Sequence, residues 1–141
     1  MAIAVLLLTA IPAPAGATSN ETIPYIDIEY PTDGSTVGTQ ETLVVVAEGY
    51  GLQNPSFSVS GENVGFAGPL TTCYFTTPMG EEIPVEEGIG GYGPGPIRMY
   101  CKQPLNLQSF EGENIKVSVS VYEQTGRLTD SVGLYVSGHC A

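Results

Sequence analysis

Apolar and polar residues alternate with a period of two in several short segments of the chain. The clearest alternation lies near the C-terminal end, and its apolar members are Ile115, Val117, Val119 and Val121. Successive side chains of a strand point to opposite faces of a sheet, so this pattern predicts a strand with one buried face. Residues 123–126 (EQTG) predict a turn, after which residues 128–136 return as the second strand of a hairpin.

Five further segments predict strands. Residues 26–30 alternate apolar with acidic side chains, whereas residues 42–47 are an apolar run that needs cover on both faces. Residues 56–60 alternate serine with Phe57 and Val59, and residues 71–76 and 97–101 complete the set. About seven short strands separated by turns such as residues 31–34 (PTDG) predict an all-β sandwich of two antiparallel sheets.

The apolar phase of these segments predicts the core of the sandwich. Its expected members are Ile28, Leu43, Val45, Phe57, Val59, Val117, Val119, Leu134 and Val136. No segment has a pattern that favours a helix longer than one turn, because Gly and Pro interrupt the chain every few residues.

Residues 1–17 form an apolar leader with two interpretations. The apolar run followed by Pro12, Pro14 and small residues is typical of a signal peptide, although no Lys or Arg precedes it. The alternative is a retained strand that inserts into a neighbouring molecule. The candidate donor-strand residues are Ala2, Ile3, Ala4, Val5, Leu6, Leu7 and Leu8. The run is shorter than the about 20 residues that a membrane-spanning helix needs.

Two polar segments flank the predicted domain. Residues 18–24 are expected to be a linker, in which Asn20 begins an Asn-Glu-Thr acceptor triplet for N-glycosylation. Residues 138–141 form a short C-terminal tail.

Two stretches resemble the immunoglobulin-like modules of bacterial and archaeal secreted and cell-surface proteins. Residues 28–37 (IEYPTDGSTV) are similar to the first strand and turn of those modules, and residues 107–117 (LQSFEGENIKV) to the entry into their penultimate strand. The resemblance implies an immunoglobulin-like β-sandwich over residues 25–137 and specifies no activity. The Gly- and Pro-rich insert at residues 77–96 departs from these compact modules.

The charge of the chain excludes one class of partner. Four Lys and Arg stand against 15 Asp and Glu, which gives a net charge of −11. Such a chain repels phosphate backbones and anionic lipid head groups, so we expect no nucleic-acid binding. The shortness of the apolar N-terminal run separately predicts no membrane span.

The three cysteines allow three pairings within one chain. Cys73 and Cys101 stand at the two ends of the insert, where a disulfide would clamp its base across neighbouring strands, and this pair is the favoured one. Cys140 would then be free or bonded to another molecule, unless it pairs with Cys101 instead. A disulfide fits an oxidising, extracellular compartment.

The residues that could carry chemistry do not form a catalytic pattern. His139, the only histidine, adjoins Cys140 in the tail, and a second ligand pair spaced for zinc is missing. The remaining candidates are carboxylates that could line a glycosidase cleft or hold calcium: Asp27, Glu29, Asp33, Glu81, Glu82, Glu86, Glu87 and Glu113. Residues 90–96 (GGYGPGP) lack the Lys and helix of a phosphate-binding loop. We therefore expect no enzymatic activity and no cofactor.

The sequence thus predicts a structural or adhesive cell-surface protein. One form of this hypothesis is a pilus-like extracellular filament assembled by donor-strand complementation, with the chain as a homo-oligomer. The alternative is a monomeric secreted module that binds carbohydrate or protein.

Overall fold

The described part of the protein is a sandwich of two five-stranded sheets. The computed structural model describes residues 23–76, the backbone of residues 82–84, and residues 96–138. The strands are β1 (Tyr25–Tyr30), β2 (Thr36–Val37), β3 (Gln40–Gly49), β4 (Gln53–Ser60), β5 (Gly65–Pro69), β6 (Cys73–Thr76), β7 (Glu82–Pro84), β8 (Ile97–Asn106), β9 (Asn114–Glu123) and β10 (Gly126–Val136), with a 3-10 turn at Gln108–Phe110.

The two sheets divide the strands equally. Sheet A has the order β2-β10-β9-β4-β5, and sheet B has the order β1-β3-β8-β6-β7. Neighbouring strands are antiparallel except for β2 and β10, which pair in parallel. The described residues contain no helix with the length and hydropathy needed to cross a bilayer.

The core lies between the sheets, at the positions that the alternation predicts. All nine predicted core residues are buried, and Val117 and Val119 of the central strand β9 are at most 1% exposed. The β9–β10 hairpin also has the predicted turn, with Glu123 opposite Gly126. Val46 faces outward from β3 but is only 1% exposed, so the outward face of this strand is covered in part, whereas Thr42 on the same face is exposed.

The N-terminal strand changes sheets. After β1 in sheet B, the predicted turn at residues 31–34 carries the chain to β2 in sheet A. Gly34 closes the turn with a φ of 83°, a conformation that favours glycine. The Asp33 carboxylate accepts a hydrogen bond from the Gly133 N–H of β10 at 2.7 Å. Asp130 joins the sheets again, because its Oδ2 accepts the Ile28 N–H of β1 at 2.9 Å.

The prediction of about seven strands, all antiparallel, was incomplete. The described residues form ten strands. The sequence pattern missed β5 because its residues (GFAGP) include two glycines and a proline, which usually mark turns. It also missed β2, which has only two residues and pairs in parallel with β10, and β7, which lies within the Gly- and Pro-rich insert.

A disulfide joins Cys73 of β6 to Cys101 of β8, as predicted, with an S–S distance of 2.02 Å. The two residues are direct partners across the antiparallel pair. Both belong to the core cluster and are at most 3% exposed. The bridge therefore lies within sheet B rather than between the sheets.

Glu123 is a buried carboxylate that holds one end of the sandwich together. It is 6% exposed, and its Oε2 accepts the Tyr50 N–H at 3.1 Å. Its Oε1 accepts the backbone N–H and the hydroxyl of Thr125 at 2.8 and 2.6 Å. Burial alone raises the pKa of this carboxyl, but the hydrogen bonds from Thr125 and Tyr50 outweigh burial, and its pKa lies below the ordinary value.

The lowered pKa of Glu123 predicts a loss of stability in acid. The carboxylate stabilises the fold fully above its unfolded pKa, near 4.5, and this contribution is lost as pH falls through the lower folded pKa. Replacing Glu123→Gln should therefore cost about 1–3 kcal/mol at pH 7 and less at pH 3. Urea unfolding at both pH values measures the difference.

The matched control for this experiment is Glu29→Gln, which removes the same charge from an exposed position on β1. Its effect should stay within about 0.5 kcal/mol at both pH values. Equal destabilisation by Glu123→Gln at pH 7 and pH 3 would contradict the assigned role of the carboxylate.

Candidate functional site: the hydroxyl groove of sheet A

The solvent-facing side of sheet A is built from small hydroxyl side chains. Strand β4 places Ser56, Ser58 and Ser60 outward at successive positions, and β9 places Ser118 and Ser120 outward between Lys116 and Tyr122. The register sets Ser58 beside Ser118 and Ser131, and Ser56 beside Ser120 and Thr129. Ala67 and Pro69 of the edge strand β5 continue these two rows. The face therefore has no large side chain along its middle.

The small side chains leave a depression in this face. The depression has a volume of about 1150 Å³ and is open to solvent along its length. We call it the hydroxyl groove and define it by its floor and its two charged ends: Ser56, Ser58, Ser118, Ser120, Thr129, Ser131, Lys116 and Arg127. Its volume lies slightly above the usual range for small-molecule sites, about 300–1,000 Å³.

Hydrogen bonds fix one end of the groove. The hydroxyls of Ser56 and Ser120 lie 3.0 Å apart and share a hydrogen bond. Arg127 Nη2 donates to the Ser120 hydroxyl at 3.3 Å, which holds the guanidinium over the floor. Ser120 is only 7% exposed, so this end of the floor is rigid and preformed.

The groove contrasts in charge with the rest of the chain. Lys116 and Arg127 are two of the four cations, and neither forms an ion pair with another described residue. The alternation of the sheet A strands points none of their Asp or Glu side chains outward. Asp130 also lines the groove and offsets one of the two positive charges, and its Oδ2 accepts the Ile28 N–H of β1. A local excess of positive charge results on a strongly acidic protein.

The outward face of sheet B has a different character. Tyr25, Tyr30 and Tyr74 are exposed there, and the Lys102 ammonium lies 6.0 Å from the centre of the Tyr100 ring. Burial and then the Glu48 carboxylate raise the pKa of Tyr25. The Glu41 carboxylate raises the pKa of Tyr30, whose hydroxyl donates to Glu41 Oε1 at 3.2 Å. Aromatic side chains and charges of both signs share this face.

Several residues singled out from the sequence lie outside the described part of the chain. The candidate donor strand Ala2 to Leu8, the glycosylation candidate Asn20, His139 and Cys140 are among them. So are Glu81, Glu86 and Glu87 of the insert, and only the backbone of Glu82 is described, in β7.

The described carboxylates that the sequence offers as calcium ligands do not lie close to one another. Asp27 and Glu29 are exposed on β1, Asp33 binds the Gly133 amide, and Glu113 Oε1 accepts the Glu62 N–H at 3.2 Å. Within residues 23–76 and 96–138, no three His, Cys, Asp or Glu side chains lie close enough to hold a metal ion.

Sequence reasoning missed the hydroxyl groove as a site. Within its own strand, each of Ser56, Ser58, Ser118 and Ser120 is only a polar position of a half-buried strand. The available signal was that both strands use serine, rather than Lys, Glu or Gln, at successive outward positions. Only the pairing of β4 with β9 brings the two rows together.

Comparison with known proteins finds no family model, no curated protein and no solved structure that matches this chain.

Proposed function

We propose that this protein is a non-enzymatic, immunoglobulin-like adhesion or binding domain that works outside the cytoplasm. Its strand order supports the fold part of the proposal. Strands β1, β3, β8 and β6 follow the A-B-E-D order of one immunoglobulin sheet, and β10, β9, β4 and β5 follow the G-F-C-C′ order of the other. The domain departs from antibody domains in lacking Trp and in having its disulfide within one sheet.

The hydroxyl groove carries the functional part of the proposal. It is preformed and open, and its hydroxyl groups donate and accept hydrogen bonds beside apolar residues such as Pro55, Pro69 and Leu70, which suits non-covalent recognition. Its floor offers hydroxyls and two cations but no histidine, cysteine or unpaired carboxylate, so a nucleophile has no base beside it. Recognition rather than turnover is the activity that these side chains support.

The disulfide supports the location. A buried cross-strand bridge such as Cys73–Cys101 forms and persists in oxidising compartments, including the cell exterior. A protein with a preformed recognition face in that setting fits attachment of a cell, or of a larger protein, to a surface.

Filament assembly by a donated N-terminal strand stays a prediction. The described core is already covered by its own strands, since Leu43, Val45 and Val117 are 0% exposed. A strand from a neighbour would therefore pair with an edge. Edge strand β5 is one candidate, because Phe66 on it and Val64 beside it are 39% and 52% exposed. The monomeric binding module is accordingly the form of the hypothesis that the described geometry favours.

The binding proposal predicts that filling the groove abolishes recognition. The protein is screened against arrays of purified glycans and extracellular matrix proteins, and a partner is then titrated with the variant Ser118→Tyr. The large ring should occupy the floor and weaken binding by at least about tenfold, because it displaces the ligand from the centre of its contact.

The control is Thr42→Tyr, which adds the same ring to an exposed position on the outward face of sheet B. It should leave the affinity within about twofold, and thermal melting verifies that both variants are folded. A partner that binds Ser118→Tyr as well as the parent chain, or the absence of any partner in the screen, would refute the binding role of the groove.

A further inference from the structure

We infer that the ligand of the hydroxyl groove is an extended acidic glycan, an oligosaccharide that carries carboxylate or sulfate groups. This inference rests on the proposed binding function and names its partner. Three properties of the groove lead to it: the hydroxyl floor, the placement of the two cations, and the distance between them.

The floor selects a ligand rich in hydroxyl groups. Ser58, Ser118 and Ser131 form one row of hydroxyls across three strands, and Ser56, Ser120 and Thr129 form the next. A hydroxyl donates one hydrogen bond and accepts two, so a row of them matches the repeated donor and acceptor positions of a sugar ring. An apolar ligand would leave these groups desolvated and unpaired, at a cost in affinity.

The two cations favour a ligand that carries negative charge. Arg127 and Lys116 project from the groove face without an ion-pair partner among the described residues. The Arg127 guanidinium keeps most of its five donors free after its bond to Ser120, and its planar fork suits a carboxylate or sulfate. A neutral glycan would make no use of either charge.

The spacing of the cations selects a chain of several sugar units. Lys116 and Ser120, where Arg127 is held, are four residues apart on β9, which corresponds to about 14 Å along the strand. One small anion cannot contact both ends. A polymer with acidic groups at intervals can lie along the groove and meet the two cations in turn.

Nucleic acid is a poorer fit to the same groove. The net charge of −11 opposes every polyanion, so charge alone does not distinguish a phosphate backbone from an acidic glycan. The aromatic residue among those that line the groove, Phe57, is 8% exposed and belongs to the core, so its ring is not available to stack on a base.

The test uses matched glycan probes and matched charge variants. Galacturonate oligomers and their methyl-esterified forms, and sulfated dextran and plain dextran, are titrated into the full chain by calorimetry. We expect the acidic member of at least one pair to bind about tenfold or more tightly than its neutral counterpart. Lys116→Gln and Arg127→Gln should each weaken that binding about fivefold, and the double variant about 25-fold.

Two controls remove the same charges from sheet B. Lys102→Gln and Arg98→Gln change the net charge equally but lie on the outward face of the other sheet, and they should leave the affinity within about twofold. Equal losses with the control variants would show that only net charge matters and would overturn the assignment of the groove cations.

The outcomes separate this inference from the binding function. A neutral glycan or a protein could instead bind the parent chain, with binding lost in Ser118→Tyr and unchanged in Lys116→Gln and Arg127→Gln. That result would overturn the acidic ligand and keep the groove as a binding site. Preference for a phosphate-backbone polyanion such as single-stranded DNA would also overturn it. Failure of every acidic probe, together with failure of the array screen, would refute both proposals.

Discussion

Replacing Val119→Asp should leave the domain largely unfolded at room temperature. Val119 is 1% exposed on the central strand of sheet A, and its register partner across the sheet is Phe57. The substitution loses the burial of an apolar side chain and forces a carboxylate into the core without a partner. The combined cost of about 4–5 kcal/mol is a large part of the stability of a small domain.

The control is the same substitution one residue earlier. Ser118→Asp puts the new carboxylate on the groove face, where water reaches it, and should cost no more than about 1 kcal/mol. Circular dichroism and urea unfolding of the two variants measure the contrast. A cooperative melt of Val119→Asp close to that of the parent chain would mean that β9 presents its other face to the core.

The contrast between positions 118 and 119 also marks what sequence alone could predict. Alternation identified β9, its inward face and its hairpin with β10, because one buried face imposes a period of two. It also identified the strands that hold Leu43 and Val59. The local sequence pattern predicts these strands because it shows which of their side chains are buried.

The missing parts depend on contacts between distant segments. Strand β5 exists because it pairs with β4, and its own residues favour a turn. The parallel pairing of β2 with β10 and the bond from Ile28 to Asp130 join residues about a hundred positions apart. The hydroxyl groove is missed for the same reason, since its rows come from three strands and no single strand contains a recognisable motif.

Removing the disulfide is the second change with a large expected effect. Cys73 and Cys101 are 28 residues apart, so the bridge closes a loop whose entropy in the unfolded chain is worth about 3–4 kcal/mol. The double substitution Cys73→Ala and Cys101→Ala should lower the melting temperature by about 10–20 °C. Because the bridge lies in sheet B, ligand affinity at the groove should be unchanged in the fraction that remains folded.

Thiol counting checks the pairing independently of stability. A Cys140→Ala chain keeps the bridge and should show no free thiol after unfolding without reductant. Free thiols in that chain would mean that Cys73 and Cys101 are not bonded to each other, and the expected loss of stability would then have no basis.

The parallel pairing of β2 with β10 determines how the domain would bear a pulling force. Three backbone hydrogen bonds connect this region to β10 and the residue after it: Gly34 N to Gly133 O at 2.7 Å, Tyr135 N to Ser35 O at 3.0 Å, and Ser137 N to Val37 O at 2.8 Å. Tension applied through the segments before residue 23 and after residue 138 would draw two parallel strands in opposite directions. The bonds would then be loaded together in shear instead of opening one after another. Resistance to detachment would then depend on this patch, whose Gly133 lies directly opposite Lys116 in the register of β9 and β10.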